Sequence, residues 1–138
     1  MDNCIFCKIA KGEIPSAKIY EDDKILAFLE LNALAEGHTL VVPKEHYENI
    51  FDIDQETLKS LIAAAQKISE RLKESLRADG INFVHRSGAA AEQGVFHFHL
   101  HVIPRKNGDG IKMDEWWFSK AKNLSPDQLE AAAKKIRW

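Results

Sequence analysis

Histidines alternate within the stretch GVFHFHLHVIP (Gly94–Pro104): His97, His99 and His101, with Phe98 and Leu100 between them and Val102 after them. Side chains of an extended chain alternate between its two faces, so this stretch reads as a strand with three imidazoles on one face and an apolar row on the other. Neighbouring histidines on such a strand lie ~7 Å apart and the outer pair ~13 Å apart. An apolar row needs a cover, and adjacent buried imidazoles need hydrogen-bond partners. The histidine row therefore belongs to a central strand, packed between a helix and loops.

The rest of the chain supplies that setting. KIYEDDKILAFLE reads as two strands, Ile19–Tyr20 and Ile25–Leu29, around the polar link Glu21–Lys24. GHTLVVP follows as a third strand, opened by Gly37 and closed by Pro43, which lacks the N–H for a ladder. Leu58, Leu61, Ile62, Ala65, Ile68, Leu72 and Leu76 recur at steps of three and four. They predict a long amphipathic helix from Asp54, its N-cap, to about Asp79, with Gly80 as its stop. INFVH (Ile81–His85) is the fourth strand and VFHFHLHVIP the fifth, with the small-residue loop RSGAAAEQG between them. SPDQLEAAAKKIRW opens a last helix, Ser125 capping it and Pro126 in its first position. Strands run ahead of and behind one long helix without βαβ alternation. The expected class is α+β, with a mostly antiparallel sheet of about five strands.

Length and charge bound the function. At 138 residues the chain is one domain, 1–138. A net charge of −2 gives no electrostatic reason to expect nucleic acid or an anionic membrane as partner. No apolar run approaches the ~20 residues of a membrane span. MDNCIFCKIAKGEIP lacks the basic stretch and apolar core of a signal peptide. A cytoplasmic location with reduced cysteines is the expectation.

Three chemistries compete for the histidine row. It is a polar outer face, or part of a zinc hydrolase, or a site of nucleophilic catalysis. Zinc ligands approach the metal to ~2 Å, so two neighbours chelate but a straight row does not converge on one ion. A neutral imidazole is nucleophilic near physiological pH, and one ring attacks while a neighbour donates a proton. The pair Cys4-x-x-Cys7 has its own three readings: a redox couple, two packed thiols, or half of a tetrahedral zinc shell.

HFHLHVI resembles the His-φ-His-φ-His-φ-φ signature (φ apolar) of the histidine triad, or HIT, superfamily. CIFCKIAKGEIPSAKIYEDDKILAFLELN, GHTLVVPKEH and the long helix are similar to its Hint-like branch, over about Cys4 to Arg105. The resemblance implies hydrolysis or nucleotidyl transfer at the α-phosphate of purine nucleoside phosphoramidates or related nucleotides. The middle histidine, His99, then attacks phosphorus and forms a nucleotidyl-imidazole that water opens. His101 and His97 assist with phosphate and proton, and His38 approaches the triad. It also implies a homodimer, built on the long helix and a sheet edge. A nucleotide-binding regulatory or scaffold protein with little turnover is the alternative. No metal is implied for the chemistry. A structural zinc on Cys4, Cys7, His46 and His97 is.

Carried over residue by residue, Phe6, Ile9, Ile14, Phe28 and Leu31 would sandwich the base, where simple core packing competes as a reading. Glu30, usually Asp in relatives, would accept from the ribose hydroxyls. Backbone N–H groups from about Gly88 to Val95 would cradle the phosphate. Two departures stand in that loop. Arg86 replaces an Asn, and in EQGV Glu92 replaces a Gly while Gly94 replaces a residue that in some members bears a hydroxyl. Arg86 pairs either with a phosphate or with Glu92, and a glycine-type conformation at Glu92 requires the loop to be rebuilt. His85 is expected as a solvated or core histidine. The apolar group DEWWF (Asp114–Phe118) and Trp138, near the chain end, are candidate contributors to substrate choice.

Overall fold

The computed structural model describes residues 3–138. The chain divides into two compact units, one ending at Asn107 and one spanning Gly108–Trp138. The first holds a five-stranded antiparallel sheet in the order β1-β2-β3-β5-β4. Its strands are β1 (Lys18–Glu21), β2 (Ile25–Leu29), β3 (Thr39–Pro43), β4 (Gly80–Val84) and β5 (Leu100–Arg105). The histidine-bearing strand has neighbours on both sides, as its apolar row requires.

Alternation along the strands builds two cores. Ile25 and Ala27 of β2, Val41 of β3, and Leu100 and Val102 of β5 turn to one face. There they meet Leu61, Ala64, Ala65, Ile68 and Leu72 of α2 (Gln55–Leu76). Leu26, Phe28, Leu40 and Val42 turn to the other face and meet Phe6 and Ile9 of α1 (Ile5–Ala10), a helix the sequence reading does not predict. Phe98 joins the α2 face, and His97 and His99 pack on Phe6 of the α1 face. The expected sorting of the row into an imidazole side and an apolar side holds.

The element ends differ in instructive ways. Only Leu100–Arg105 of the predicted fifth strand is ladder-paired; Val95–His99 approaches it as a bent segment. The third strand begins at Thr39 and not at Gly37, and the fourth spans Gly80–Val84 and leaves His85 outside. Asp54 caps α2 as expected, accepting from Thr57 N–H. The helix stops earlier than predicted, because Arg77 and not Gly80 takes the left-handed conformation (φ 55°), and Gly80 opens β4. Ile62, counted in the apolar stripe, is exposed, because the buried face centres on Leu61, Ala65 and Leu72.

The second unit carries α3 (Met113–Lys120) and α4 (Pro126–Ile136). Ser125 caps α4 in a reciprocal capping box with Gln128, and Pro126 stands in its first position. Neither helix contains a buried residue, and Trp116, Trp117, Phe118 and Trp138 are exposed. Among the described residues no helix is long and apolar enough to cross a membrane.

Candidate active site

The bend before β5 sets the three histidines in different surroundings. His97 is fully buried and turns toward the N-terminal cysteines, its Nδ1 3.3 Å from Cys4 Sγ and 3.4 Å from Cys7 Sγ. His46 Nδ1 lies 3.3 Å from Cys7 Sγ and 3.2 Å from His97 Nδ1. Four ligand atoms around one zinc, ~2.0–2.3 Å from it at tetrahedral angles, stand about 3.3–3.8 Å apart. The spacings in this cluster match that shell, and the four residues named from the sequence are those that converge.

The protonation pattern fits a cation as well. His97 Nε2 lies 2.8 Å from the Pro43 carbonyl, which only accepts, so the ring proton sits on Nε2 and the Nδ1 lone pair faces the sulfurs. Burial, then the neighbouring Cys4, push the Cys7 thiol up to about 11. Two thiolates in that position need a positive charge between them, which a zinc ion provides. The donor set is compatible with zinc.

His99 lies at the next turn of the bend, 8% exposed. Its Nδ1 is 2.8 Å from the His97 carbonyl, so Nδ1 carries the proton and Nε2 keeps the lone pair. Burial lowers its pKa, which keeps the ring neutral at pH 7. Phe6 packs edge-on against both His97 and His99, at 5.9 and 5.2 Å between centroids. The short helix α1 thereby packs on His97 and His99.

His101, on β5, stands 5.2 Å from His99 ring to ring. Its Nδ1 is 2.9 Å from His38 Nε2, and His38 Nδ1 accepts the Leu34 N–H at 3.0 Å. That backbone donor assigns the tautomers in turn: His38 is protonated on Nε2 and donates to His101 Nδ1. The neutral His101 ring then carries its proton on Nε2. Burial, then the neighbouring His99, holds the His101 pKa down at about 4. Glu30, whose carboxylate accepts from Asn32 N–H, joins His38 and His101 in one cluster.

The remaining sequence-predicted residues fall into place unevenly. Phe6, Ile9 and Phe28 form one apolar cluster, with Ile14 and Val95 packed against it. Leu31 does not join; the chain leaves the sheet after Leu29, and Leu31 is 98% exposed. The His97 ring is enclosed with the cysteines, and the His97 main-chain carbonyl faces the His99 ring.

The loop before the triad departs from the expected cradle. Gly88 N–H donates to Gln93 Oε1, Ala91 and Gln93 N–H to the Gly88 carbonyl, and Glu92 N–H to the Ala89 carbonyl, so these four donors are engaged within the loop. Glu92 does adopt the glycine-type conformation, φ 63°, and the Arg86 guanidinium reaches its carbonyl oxygen at 3.4 Å rather than its carboxylate. Gly94 is exposed, with open space where a side chain would stand. Gln93, absent from the sequence-based site, is buried. Its amide donates to the carbonyls of Glu48 at 2.7 Å and Val95 at 3.1 Å. His85, expected as a solvated or core histidine, is half-buried and stacks on Phe98.

Small α+β domains built around such a histidine-bearing strand and a Cys–His cluster form a defined class, and the relatives say which. Residues 11–108 match the HIT domain family. The chain is 41% identical over 135 residues to protein hit of Bacillus subtilis, covering 98% of this chain and 92% of that one. It is 39% identical over 114 residues to adenylylsulfatase HINT3 of Arabidopsis thaliana, covering 83% of this chain and 58% of that one. The crystal structure of a Zn-bound histidine triad family protein from Mycobacterium smegmatis matches with a TM-score of 0.77 at 37% identity. That match covers 98% of this chain and 96% of that one. The chain belongs to the HIT family.

Proposed function

We propose that the protein hydrolyses purine nucleotides at the α-phosphate, phosphoramidates or related nucleotides, through a nucleotidyl intermediate on His99. One observation carries this reading: the His99 Nδ1–H held by the His97 carbonyl, which leaves the Nε2 lone pair on a neutral ring. Nε2 forms a bond to phosphorus as the bond to the leaving group breaks; the departing atom takes its proton from solvent, and His101 Nε2–H donates a hydrogen bond to the phosphate. Water then attacks phosphorus, the phosphorus–nitrogen bond breaks, and the nucleoside monophosphate leaves. His38 keeps His101 in the donor tautomer. The apolar cluster of Phe6, Ile9, Ile14 and Phe28 receives the base, Glu30 the ribose hydroxyls, and Arg86 with the backbone at Gly94 and Val95 the phosphate.

Zinc on Cys4, Cys7, His46 and His97 supplies a cross-link and no reaction step, because four protein ligands close a tetrahedral shell. It ties the N-terminal helix to the segment that carries His99. Thiolate ligands fit a reducing compartment, in line with a cytoplasmic location. A homodimer is proposed on α2 and the sheet-edge strand β4, where Ile62 and Phe83 are exposed. Light scattering at micromolar concentration is expected to give twice the 15.6 kDa chain mass, and a monomer contradicts it.

A nucleotide-binding protein with little turnover is the second reading, favoured by the loop donors already engaged at Gly88, Ala91, Glu92 and Gln93. The two separate on His99→Ala assayed with adenosine 5′-phosphoramidate. The enzyme reading predicts turnover in the wild type and a loss of at least ~100-fold in the variant with nucleotide binding kept. Equal rates in the two proteins would sink the nucleophile assignment.

A further inference from the structure

We propose that His85 is a positioning residue for His99, holding the nucleophile's main chain by a side-chain hydrogen bond where the sheet ladder stops. The proposal rests on the reading of His99 as nucleophile. Pairing of β4 with β5 ends at Val84↔His101. Just beyond, the His85 ring meets the His99 carbonyl oxygen, with Nδ1 at 2.9 Å. A carbonyl only accepts, so Nδ1 carries the proton. The other nitrogen of the neutral ring is then an acceptor, and Ser87 Oγ stands 2.5 Å from it. Ser87 Oγ itself accepts the Ile50 N–H at 3.0 Å. The relay has one direction throughout: Ile50 N–H to Ser87 Oγ, Ser87 O–H to His85 Nε2, His85 Nδ1–H to the His99 carbonyl.

The ring has little freedom left. It stacks on Phe98 at 4.3 Å and 24° between planes, and the neighbouring Phe98 N–H is held by the Tyr47 carbonyl at 2.7 Å. His99 is thus fixed at two points, its ring by the His97 carbonyl and its own carbonyl by His85. A side-chain donor has a consequence that a backbone donor lacks. Had a β4 amide met the His99 carbonyl, the chain after Val84 would have continued along β5. With His85 making that bond, the carbonyl keeps a partner while the chain leaves the sheet and folds into the loop of Ser87–Gln93. The same arrangement recurs at the neighbouring ring, where His38, set by Leu34 N–H, holds His101. His99 and His101 are thus each backed by a second histidine, His85 with its tautomer set by a backbone carbonyl and His38 with its tautomer set by a backbone amide.

The test compares His85→Leu, which keeps bulk against Phe98 but donates nothing, with His85→Asn, whose side-chain amide offers a donor near the Nδ1 position. Full-length proteins are assayed with adenosine 5′-phosphoramidate. His85→Leu is expected to lower kcat roughly 10- to 100-fold with KM changed less than about 3-fold, as small displacements of a reacting group do. His85→Asn is expected to restore kcat to within about 3-fold of wild type. Wild-type kcat in His85→Leu, or equal losses in the two variants, overturns the proposal. Should His85→Leu fail to fold, Ser87→Ala decides: kcat lowered with KM kept supports the relay, and an unchanged kcat overturns it. If the wild type itself turns nothing over, the nucleophile reading falls, and nitrogen-15 NMR of the histidine rings judges the clamp. A His99 Nδ1–H resonance present in wild type and His85→Asn but lost to exchange in His85→Leu supports it; the same resonance in all three overturns it.

Discussion

Arg86 is the residue whose role the structure narrows most. The two pairings open to it were a substrate phosphate and the Glu92 carboxylate. Among the described residues its guanidinium meets only the Glu92 carbonyl, at 3.4 Å, and its charge acts on both His99 and His101. A cation so placed is available to an incoming phosphate. Arg86→Asn is therefore expected to lower kcat/KM by roughly 10- to 100-fold, the equivalent of a charge-assisted hydrogen bond of ~1.5–3 kcal/mol. Steady-state kinetics decide it, and an unchanged or raised kcat/KM removes Arg86 from the phosphate site. Glu92 tells a complementary story, since an L-residue at φ 63° carries a conformational cost that a glycine there would not.

At the scale of elements, the turn leading into β3 packs closely on α2. Gly37, at φ 91°, leads directly into His38, and a Cβ there would stand 2.5 Å from Leu76 Cδ1 and 3.0 Å from Leu72 Cδ2. Gly37→Ala is expected to destabilise the fold by about 1–3 kcal/mol, through overpacking and the left-handed backbone together. Chemical denaturation measures it, and a change below about 0.5 kcal/mol would mean that α2 yields at no cost. Most elements were legible in the sequence because burial leaves a pattern: a period of two in HFHLHV, an unbroken apolar run in ILAFL, whose strand is buried on both faces, and about 3.6 along Leu61, Ala65, Ile68 and Leu72. What was not legible has no period. The six residues of α1 are too few for one, and the contacts of His85, Ser87 and Gln93 cross loops far apart in sequence. Of the Cys–His cluster, the Cys4-x-x-Cys7 spacing offered one half and resemblance the other, since no spacing brings His46 and His97 to the cysteines without the sheet.

For the whole molecule, the Cys–His cluster joins the N-terminal helix to the segment that leads into β5. Cys4 and Cys7 belong to the start of α1, His46 follows β3, and His97 precedes β5. Losing the metal should thus loosen α1, and with it the Phe6 ring that covers His97 and His99. Elemental analysis of protein from zinc-replete cells is expected to find about one zinc per chain, and Cys4→Ser to lose it with a lower Tm and partial activity. Protein purified without metal would leave the cysteines as packed thiols. Complete loss of turnover in a still-folded Cys4→Ser would contradict a purely structural zinc.

The central claim is the covalent intermediate, and quenching is the direct way to see it. Protein mixed briefly with adenosine 5′-phosphoramidate, stopped in the denatured state at alkaline pH and analysed by peptide mass spectrometry should carry an adenylyl group on His99. His99→Ala should carry none. Turnover in the wild type with no adduct, or an adduct on His97 or His101 in its place, would contradict the account.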